Sequence, residues 1–259
     1  MRIAVITGAS SGMGREFVSQ IAKENIGENR EIEEIWVMAR RRDLLESLAE
    51  TLPIPARILE GDLTKQTAYT EFKTLMQAEK PDIRILVNAA GFGKSGRAEK
   101  IYREDKKSQL AMIDLNCMAL SRMTFLCLPY MKKGSIIYNL ASAAAFCPQP
   151  GFAVYAATKS YVLSFSRALN AELKKRHVQV TAVCPGPVDT EFFQVSGPID
   201  SPLKKLTMAK ADRVVKKALS DGKAGKSVSV CGAAMKGTRL LTKLLPHSLL
   251  IKLLTIGKN

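Results

Sequence analysis

The sequence predicts an α/β fold: a doubly wound parallel sheet of about seven strands with helices on both faces. Two observations support this prediction. Strand-like apolar runs alternate with helix-like stretches along most of the chain, and this alternation is typical of a parallel sheet. A glycine-rich segment directly follows the first of these runs, where a strand would turn into a helix.

The elements can be placed in chain order. Strands are expected at 3–6, 34–39, 55–60, 83–88, 135–140, 178–184 and 227–231. Helices are expected near 12–25, 43–51, 65–79, 104–131, 155–176 and 209–220. A sheet of this kind binds its ligand beyond the carboxyl ends of the strands. The functional residues are therefore expected just after strands or on the adjoining helices.

The segment after the first strand is a candidate phosphate-binding turn. Residues 7–14 read Thr-Gly-Ala-Ser-Ser-Gly-Met-Gly. Backbone N–H groups of such a turn can approach phosphates at the positive end of the following helix. The spacing is G-x-x-x-G-x-G rather than G-x-G-x-x-G, and an ordinary flexible turn is the weaker alternative. The expected contacts are Gly8, Ser10, Ser11, Gly12, Met13 and Gly14.

A tyrosine and a lysine stand at helical spacing later in the chain. Tyr155 and Lys159 are four residues apart, so both side chains can share one helix face. A free phenol titrates near ~10, and a neighbouring cation lowers that pKa. This suits general acid–base chemistry near neutral pH. Ser142 lies upstream of the pair. The alternative for the pair is a packed ring beside a solvated amine.

The end of the second predicted strand indicates which dinucleotide the chain prefers. An NAD-selective site usually places a carboxylate here, on the ribose 2′-hydroxyl. This chain has Ala39 followed by Arg40, Arg41 and Arg42. Because guanidinium groups fork onto phosphate oxygens, we expect NADP(H), with Arg40 and Arg41 on the 2′-phosphate. The alternative is a solvated basic helix start, capped or paired by Asp43.

Further motifs complete an ordered set. They are Asp62-Leu63, Asn88-Ala89-Ala90-Gly91, Asn116 and Pro185-Gly186-Pro187-Val188-Asp189-Thr190. With the glycine turn, Ser142, Tyr155 and Lys159, they resemble the short-chain dehydrogenase/reductase family over about 3–232. The resemblance is to its compact branch, in which residues 1–259 would form a single Rossmann-like domain. It is loosely similar to the 3-ketoacyl and 17β-hydroxysteroid reductase side.

The resemblance implies a reaction between a ketone and a secondary alcohol. Tyr155 would give a proton to the carbonyl oxygen while NADPH gives hydride to the carbon. Ser142 would hydrogen-bond the same oxygen, and Lys159 would lower the pKa of the tyrosine and bind the nicotinamide ribose. Asn116 would hold a water of the proton relay; its alternative is a mid-helix kink residue. For Ser142 the alternative is one more small residue in an alanine-rich stretch.

The resemblance also implies further cofactor contacts. Asp62 and Leu63 would lie at the adenine, although Asp62 could be a turn aspartate. The segment after the fourth strand would pack beside the adenine ribose, although Asn88 could be purely structural. The expected contacts here and around the nicotinamide are Asn88, Ala89, Ala90, Gly91, Tyr155, Lys159, Pro185, Gly186, Val188 and Thr190.

Residues 191–210 occupy the place of the family's variable substrate loop. Apolar side chains there and before Tyr155 favour a lipid-, steroid- or aromatic-type carbonyl substrate. Two lysines could instead meet the anionic tail of an acyl carrier or coenzyme A, as in a 3-oxoacyl reductase. The apolar set is Phe146, Pro148, Pro150, Phe152, Phe192, Phe193, Val195, Ile199 and Leu203, and the lysines are Lys204 and Lys205.

Residues 233–259 form a leucine-rich, basic C-terminal extension. Leucines recur there with helical spacing, and Pro246 predicts two short helices rather than one. The favoured interpretation is that they pack over the substrate pocket or against a second subunit. The alternative is peripheral contact with an anionic membrane.

Composition limits the other classes. The net charge is +15, from 39 Lys and Arg against 24 Asp and Glu. This charge is spread along the chain without a recognition motif, so a nucleic-acid partner is not expected. Two histidines and five scattered cysteines predict no metal site and fit reduced thiols in a cytoplasmic protein. No membrane-spanning helix is expected. The family implies a homo-oligomer, a dimer or tetramer, through 104–131 and 155–176. A non-catalytic NADP(H)-sensing protein remains a rival.

Overall fold

The computed structural model describes residues 1–25, 31–196 and 208–255. Seven strands form one parallel sheet in the order β3-β2-β1-β4-β5-β6-β7, which confirms the predicted fold class. The last strand has two residues, fewer than the predicted 227–231. The strands are β1 Arg2–Thr7, β2 Glu34–Ala39, β3 Ala56–Glu60, β4 Asp82–Asn88, β5 Ile136–Leu140, β6 Gln179–Val183 and β7 Val228–Ser229.

The helices follow the predicted alternation. They are α1 Gly12–Glu24, α2 Arg42–Ala49, α3 Gln66–Glu79, α4 Ala98–Glu104, α5 Ser108–Ile113, α6 Leu120–Cys127, α7 Ala153–Glu172, α8 Phe192–Ser196, α9 Ala211–Lys223, α10 Ala233–Leu244 and α11 His247–Thr255. A π-helical segment, Asp114–Ala119, joins α5 to α6. The two tail helices on either side of Pro246 confirm the predicted break.

The predicted helix over 104–131 is wrong at its start. α4 ends at Glu104, and a turn separates it from α5. The carboxylate of Asp105 accepts hydrogen bonds from the N–H groups of Lys107 and Ser108. Because the Asp105 side chain satisfies these N–H groups ahead of α5, the chain breaks here rather than continuing as one helix.

Both faces of the sheet are buried, which explains the apolar strand sequences. Along β1, Ala4 and Ile6 face a core that includes Phe17 of α1. Ile3 and Val5 face the opposite core, which includes Phe72 of α3. This period of two places α1, α2 and α9 on one face of the sheet and α3, α6 and α7 on the other.

Two buried asparagines tie the middle of the sheet to the helices near the carboxyl ends of the strands. The amide nitrogen of Asn88 donates to Asn139 Oδ1 at 2.8 Å and to Thr124 Oγ1 at 3.0 Å. Asn139 in turn donates to Ser166 Oγ at 3.0 Å. The hydrogen bonds couple β4 and β5 to α6 and α7, the helices that carry or adjoin most of the predicted catalytic side chains.

The segment Ser108–Tyr130 was not expected to resemble a membrane span. By length and composition alone it is the one helix, among the described residues, that could cross a membrane, with a mean hydropathy of 1.3. Within the fold 44% of that window is buried. A core helix of a soluble protein meets the same criterion, so the finding is weak evidence. Its outer face and that of α7 expose Leu110, Phe125 and Tyr161.

Candidate active site

The glycine turn lies where β1, β2 and β4 end. Gly8 has a φ of +67°, and its N–H donates to Met38 O at 2.8 Å. A side chain at Gly8 would place a Cβ 2.7 Å from the backbone nitrogen of Ala90. Only glycine therefore allows this close approach between the turn after β1 and the segment after β4.

The N-terminus of α1 is open for an anion. Ser11 occupies the N-cap position, but no side chain caps the helix in the described part of the chain, and its first turn holds no acidic residue. Gly12 has a φ of +52° and lies against the side chain of Thr190. The unsatisfied N–H groups and the helix dipole fit the pyrophosphate of a dinucleotide.

Arg41 reaches across this turn. One guanidinium nitrogen lies 2.9 Å from a carboxylate oxygen of Glu191 and 3.3 Å from Ser10 Oγ. Arg41 holds the pKa of the Glu191 carboxyl below its usual value. Arg40 is also exposed beside the turn. Both arginines follow the end of β2, the region that sets the choice between dinucleotides in this fold. Glu191 escaped the sequence-based cofactor set because nothing in a single sequence links positions 150 residues apart.

Asp62 has the geometry of a turn aspartate, which was the alternative to an adenine contact. Its carboxylate accepts from the N–H and the hydroxyl of Thr64, at 2.9 and 2.8 Å. Partial burial opposes ionisation, but these hydrogen bonds and the Arg40 charge hold the pKa of Asp62 below its usual value. Leu63 is buried in the sheet core.

The segment after β4 packs closely onto its neighbours. Thr7 Oγ1 accepts hydrogen bonds from the N–H groups of Ala89 and Ala90. A Cβ at Gly91 would lie 2.8 Å from Asn116 Oδ1 and 3.6 Å from Lys159 Nζ. Gly91 is therefore the point where the cofactor segment meets two predicted catalytic residues.

Asn116 lies in the π-helical segment. Its amide nitrogen donates to Phe92 O at 2.9 Å and to Thr158 Oγ1 at 3.1 Å. Its oxygen accepts from Phe92 N–H at 3.1 Å. The π-helical turn, a feature frequent at functional sites, lets one amide clamp the segment after β4 to α7. Thr158 was not among the predicted site residues, since its position in α7 carries no sequence signal.

Tyr155 and Lys159 share the buried face of α7 as predicted, but the pKa of Tyr155 is raised and not lowered as expected. Burial raises the pKa of Tyr155 to about 12, although the nearby Ser142 side chain acts in the opposite direction. Burial lowers the pKa of Lys159 to about 8. Lys159 Nζ lies 5.6 Å from the centre of the tyrosine ring and donates to Leu140 O at 2.6 Å. Desolvation outweighs the expected attraction between the two groups.

Ser142 begins a short 3₁₀ helix after β5. Its backbone is extended, and its Oγ accepts from Ala144 N–H at 3.1 Å. The next N–H, that of Ala143, donates to Pro185 O at 2.8 Å. This bond ties the loop that carries Ser142 to the turn after β6, where the nicotinamide contacts are expected.

The turn after β6 is held at both ends. Gly186 packs against Met235 of α10, since a Cβ at Gly186 would lie 2.6 Å from the methionine sulfur. Val188 is buried and forms a β-bridge with Ala209. The hydroxyl of Thr190 accepts from Phe192 N–H at 3.4 Å. The turn thereby places Thr190 against Gly12.

Two aromatic rings cover the tyrosine. The ring of Phe152 stacks on Tyr155 with centroids 4.3 Å apart, and that of Phe192 lies 5.5 Å away. Phe193 packs edge-on against Phe192. These contacts place three of the predicted apolar residues beside the site. Ile199, Leu203, Lys204 and Lys205, together with the Val195 side chain, lie outside the described residues.

A cavity of about 450 Å³ adjoins the site. Phe146, Pro148 and Pro150 line it as predicted, together with His247 and Ile251 of α11. Tyr155 and Ser142 are not among its lining residues. The cavity therefore lies on the flank of α7, beside rather than directly over the tyrosine hydroxyl.

The fold and site together define a nicotinamide-dependent oxidoreductase of the doubly wound type. The family profile described as short chain dehydrogenase matches residues 2–198. The chain belongs to the short-chain dehydrogenase/reductase family.

Curated relatives cover most of the chain. An uncharacterized oxidoreductase of Staphylococcus epidermidis is 31% identical over 195 residues, which are 74% of this chain and 80% of the relative. A very-long-chain 3-oxoacyl-CoA reductase of Anas platyrhynchos is 30% identical over 75% of this chain and 62% of its own length. The 17-beta-hydroxysteroid dehydrogenase type 3 of Mus musculus is 28% identical over 83% and 67%.

Solved structures agree with the fold. A short-chain dehydrogenase from Sphingobium yanoikuyae, determined in complex with NADPH, superposes with a TM-score of 0.77 at 25% identity. The match covers 96% of this chain and 98% of that one. The superposition therefore extends beyond the predicted motifs and into the C-terminal extension.

Proposed function

We propose that this protein is an NADP(H)-dependent oxidoreductase that interconverts a ketone and a secondary alcohol on a hydrophobic substrate. The observation that carries the proposal is the convergence of four side chains at one end of the sheet. The Ser142 side chain acts on the pKa of Tyr155, Lys159 Nζ lies over the tyrosine ring, and Lys159 and Asn116 both border Gly91. Packing of the core alone would not require a buried phenol beside a buried amine.

Tyr155 would act as the proton donor. Burial raises its pKa to about 12, so the hydroxyl is protonated at neutral pH, and the Lys159 charge would have to lower this pKa for efficient proton transfer. Ser142 would hydrogen-bond the same substrate oxygen and so align it with the phenol. Bound in the cleft, the nicotinamide supplies the hydride. Direct contact of Ser142 and Tyr155 with the reacting oxygen makes both catalytic residues in this proposal.

Lys159 and Asn116 would assist this proton transfer without contacting the reacting oxygen. The Lys159 ammonium would bind the nicotinamide ribose and favour loss of the tyrosine proton electrostatically. Asn116 would hold a water at the end of a proton path, while its present hydrogen bonds fix Phe92 and Thr158. Both groups are almost fully buried, so bulk water would not compete for them.

The preference for NADP(H) over NAD(H) rests on the turn after β2. Arg40 and Arg41 are exposed there, the neighbouring Arg42 pairs with Glu46, and β2 ends without a carboxylate at Ala39. The structural neighbour from Sphingobium yanoikuyae was solved with NADPH. A guanidinium pair would bind the additional phosphate of NADP(H).

The substrate class follows from the groups around the tyrosine. Phe152 and Phe192 contact its ring, and the neighbouring cavity is lined by Phe146 and two prolines. These surroundings favour a steroid-, lipid- or aromatic-type carbonyl. A second candidate is reduction of a 3-oxoacyl thioester, which the name of one relative favours. A protein that only senses NADP(H) would not need the four converging side chains.

A homo-oligomer is part of the proposal. The outer faces of α5, α6 and α7 expose Leu110, Phe125 and Tyr161. Exposed apolar groups of this size on adjacent helices favour contact with a second copy.

Turnover assays with a matched tyrosine control test the proposal. NADPH oxidation is followed across steroid ketones, 3-oxoacyl-CoA thioesters and aromatic ketones with wild type, Tyr155→Phe and Tyr102→Phe. Tyr102 lies on α4, outside the proposed subunit contact, and is 52% exposed. We expect turnover on one class, lost at least about 100-fold in Tyr155→Phe and kept in Tyr102→Phe. NADPH binding without turnover of any ketone would favour the sensor.

A further inference from the structure

The C-terminal helices α10 and α11 leave six leucines facing solvent. Their exposed fractions run from 38% to 70%. They fall within fifteen residues of sequence, on two helices separated by only Leu245 and Pro246. We call this set the leucine face: Leu240, Leu241, Leu244, Leu249, Leu253 and Leu254. Among the described residues of the tail, only His247 and Ile251 line the cavity. The expectation that the tail packs over the substrate pocket therefore does not account for the leucine face.

Cations flank these leucines without acidic partners. Lys236, Lys243 and Lys252 are exposed, and none of them forms an ion pair with another described residue. Residues 233–259 contain no Asp or Glu at all, although the chain as a whole carries 24 of them. On α10 the lysines lie beside the leucine stripe at helical spacing, not within it. This is the pattern of a helix lying in a membrane interface.

We propose that the leucine face docks on the surface of an anionic lipid bilayer, with the flanking lysines at the headgroups. Charge complementarity favours a bilayer over a second copy of the chain as the partner of the leucine face. A symmetric contact between two copies would bring together two tails that carry positive charge and no acidic residue. The net charge of the protein is already +15. Phosphate headgroups remove that repulsion, and acyl chains take up the leucines.

The position of the cavity beside α7 is consistent with a bilayer as the partner of the leucine face. α11 presents Leu249 and Leu253 to solvent on one side and borders the apolar cavity with Ile251 on the other. Docking would therefore hold an apolar cavity next to the bilayer. The docking itself does not depend on the proposed reaction and stands or falls separately.

Vesicle co-sedimentation of the full chain tests the proposal. The vesicles are pure phosphatidylcholine, or phosphatidylcholine with about 30% phosphatidylglycerol as the anionic lipid. Wild type is expected to sediment with the anionic vesicles, less so with the neutral ones, and less again when the salt concentration is raised. Absence of binding to the anionic vesicles would overturn the proposal.

Three sets of substitutions locate the contact. The leucine variant combines Leu240→Gln, Leu244→Gln and Leu253→Gln; the charge variant combines Lys236→Gln, Lys243→Gln and Lys252→Gln. The control removes the same charge elsewhere, with Lys106→Gln, Lys107→Gln and Lys174→Gln, all exposed. We expect the leucine and charge variants to lose at least about fivefold in bound fraction, and the control to lose much less.

Two further measurements distinguish the possible outcomes. Circular dichroism and NADPH titration show that the variants are folded, and the charge variant alters only exposed lysines. Light scattering after gel filtration gives the mass of wild type and the leucine variant. An unchanged mass with lost vesicle binding supports the bilayer. A halved mass in the leucine variant, or equal vesicle binding by all variants, would show that the face serves a second copy or no lipid at all.

Discussion

The guanidinium of Arg41 lies 2.9 Å from the carboxylate of Glu191 and so connects the turn after β2 to the residue that follows Thr190. Both side chains are nearly half exposed, so the pair contributes little to stability. The position of this ion pair, and not its strength, bears on cofactor binding. Glu191 places a negative charge at the group that we propose for the 2′-phosphate of NADP(H), and it begins the predicted substrate loop.

The Glu191→Gln variant is expected to bind NADPH about two- to fivefold more tightly, since the carboxylate competes with the phosphate for Arg41. NADH lacks that phosphate, and its affinity is expected to change much less. Fluorescence titration of both cofactors measures the effect. Arg41→Ala provides the opposite control, because it should weaken NADPH selectively. Equal changes for NADPH and NADH in both variants would show that this pair lies away from the 2′-phosphate.

The sheet could be predicted because each strand is decided locally. β1 and β2 are short apolar runs between polar segments, and both faces of the sheet require such runs. The candidate site was predictable only as a set of positions. The ion pair between Arg41 and Glu191 joins distant segments, and the π-helical turn at Asn116 has no local signal in the sequence.

The pKa of Tyr155 shows a second limit of prediction from sequence. Spacing places the tyrosine and Lys159 on one helix face, which is what the structure has. The pKa shift depends instead on burial of the hydroxyl. Phe152, at the start of the same helix, stacks on the ring, and Phe192 covers it from a distant segment. Burial raises the pKa of a phenol, whatever the sequence spacing favours.

NADPH affinity is expected to fall as the pH rises through about 8. Burial lowers the pKa of Lys159 to about 8 in the cofactor-free protein. The ammonium is therefore charged below that pH and neutral above it, and the anionic cofactor favours the charged form. If only the charged form binds, the dissociation constant rises about tenfold between pH 7 and pH 9. Titrations over this range, with Lys159→Met expected to be weak and flat, check the assignment. A parallel pH dependence in the variant would place the titrating group elsewhere.

Asp221 should be a main stabilising group of the β7 edge. Its buried carboxylate accepts from Lys217 at 2.5 Å, Lys226 at 2.8 Å and Ser229 at 2.9 Å. Burial opposes ionisation, but these partners hold the pKa of Asp221 below its usual value. Its contribution is therefore present at neutral pH and is lost as the pH falls through the folded-state pKa. We expect Asp221→Asn to lower the free energy of unfolding by about 1–3 kcal/mol.

Urea unfolding at pH 7 measures this loss. Glu71→Gln removes the same charge from the exposed side of α3, and it should leave the unfolding midpoint nearly unchanged. If both variants were equally stable, the hydrogen bonds to Asp221 would be surface contacts of no consequence for β7.

Gly91 should be required for activity rather than for the fold. A Cβ there would lie 2.8 Å from Asn116 Oδ1 and 3.6 Å from Lys159 Nζ. Gly91 is itself exposed, so the backbone can accept alanine at the expense of the Asn116 clamp on Phe92. We therefore expect Gly91→Ala to reduce kcat at least about tenfold, because small displacements of positioned groups are costly, with the urea midpoint little changed. Gly237→Ala is the matched control, since a Cβ at Gly237 meets no atom within 4 Å. Its kcat should equal that of wild type. A Gly91→Ala enzyme with full kcat would mean that the Asn116 amide can shift without consequence, and the proposed water relay through Asn116 would then lose its support.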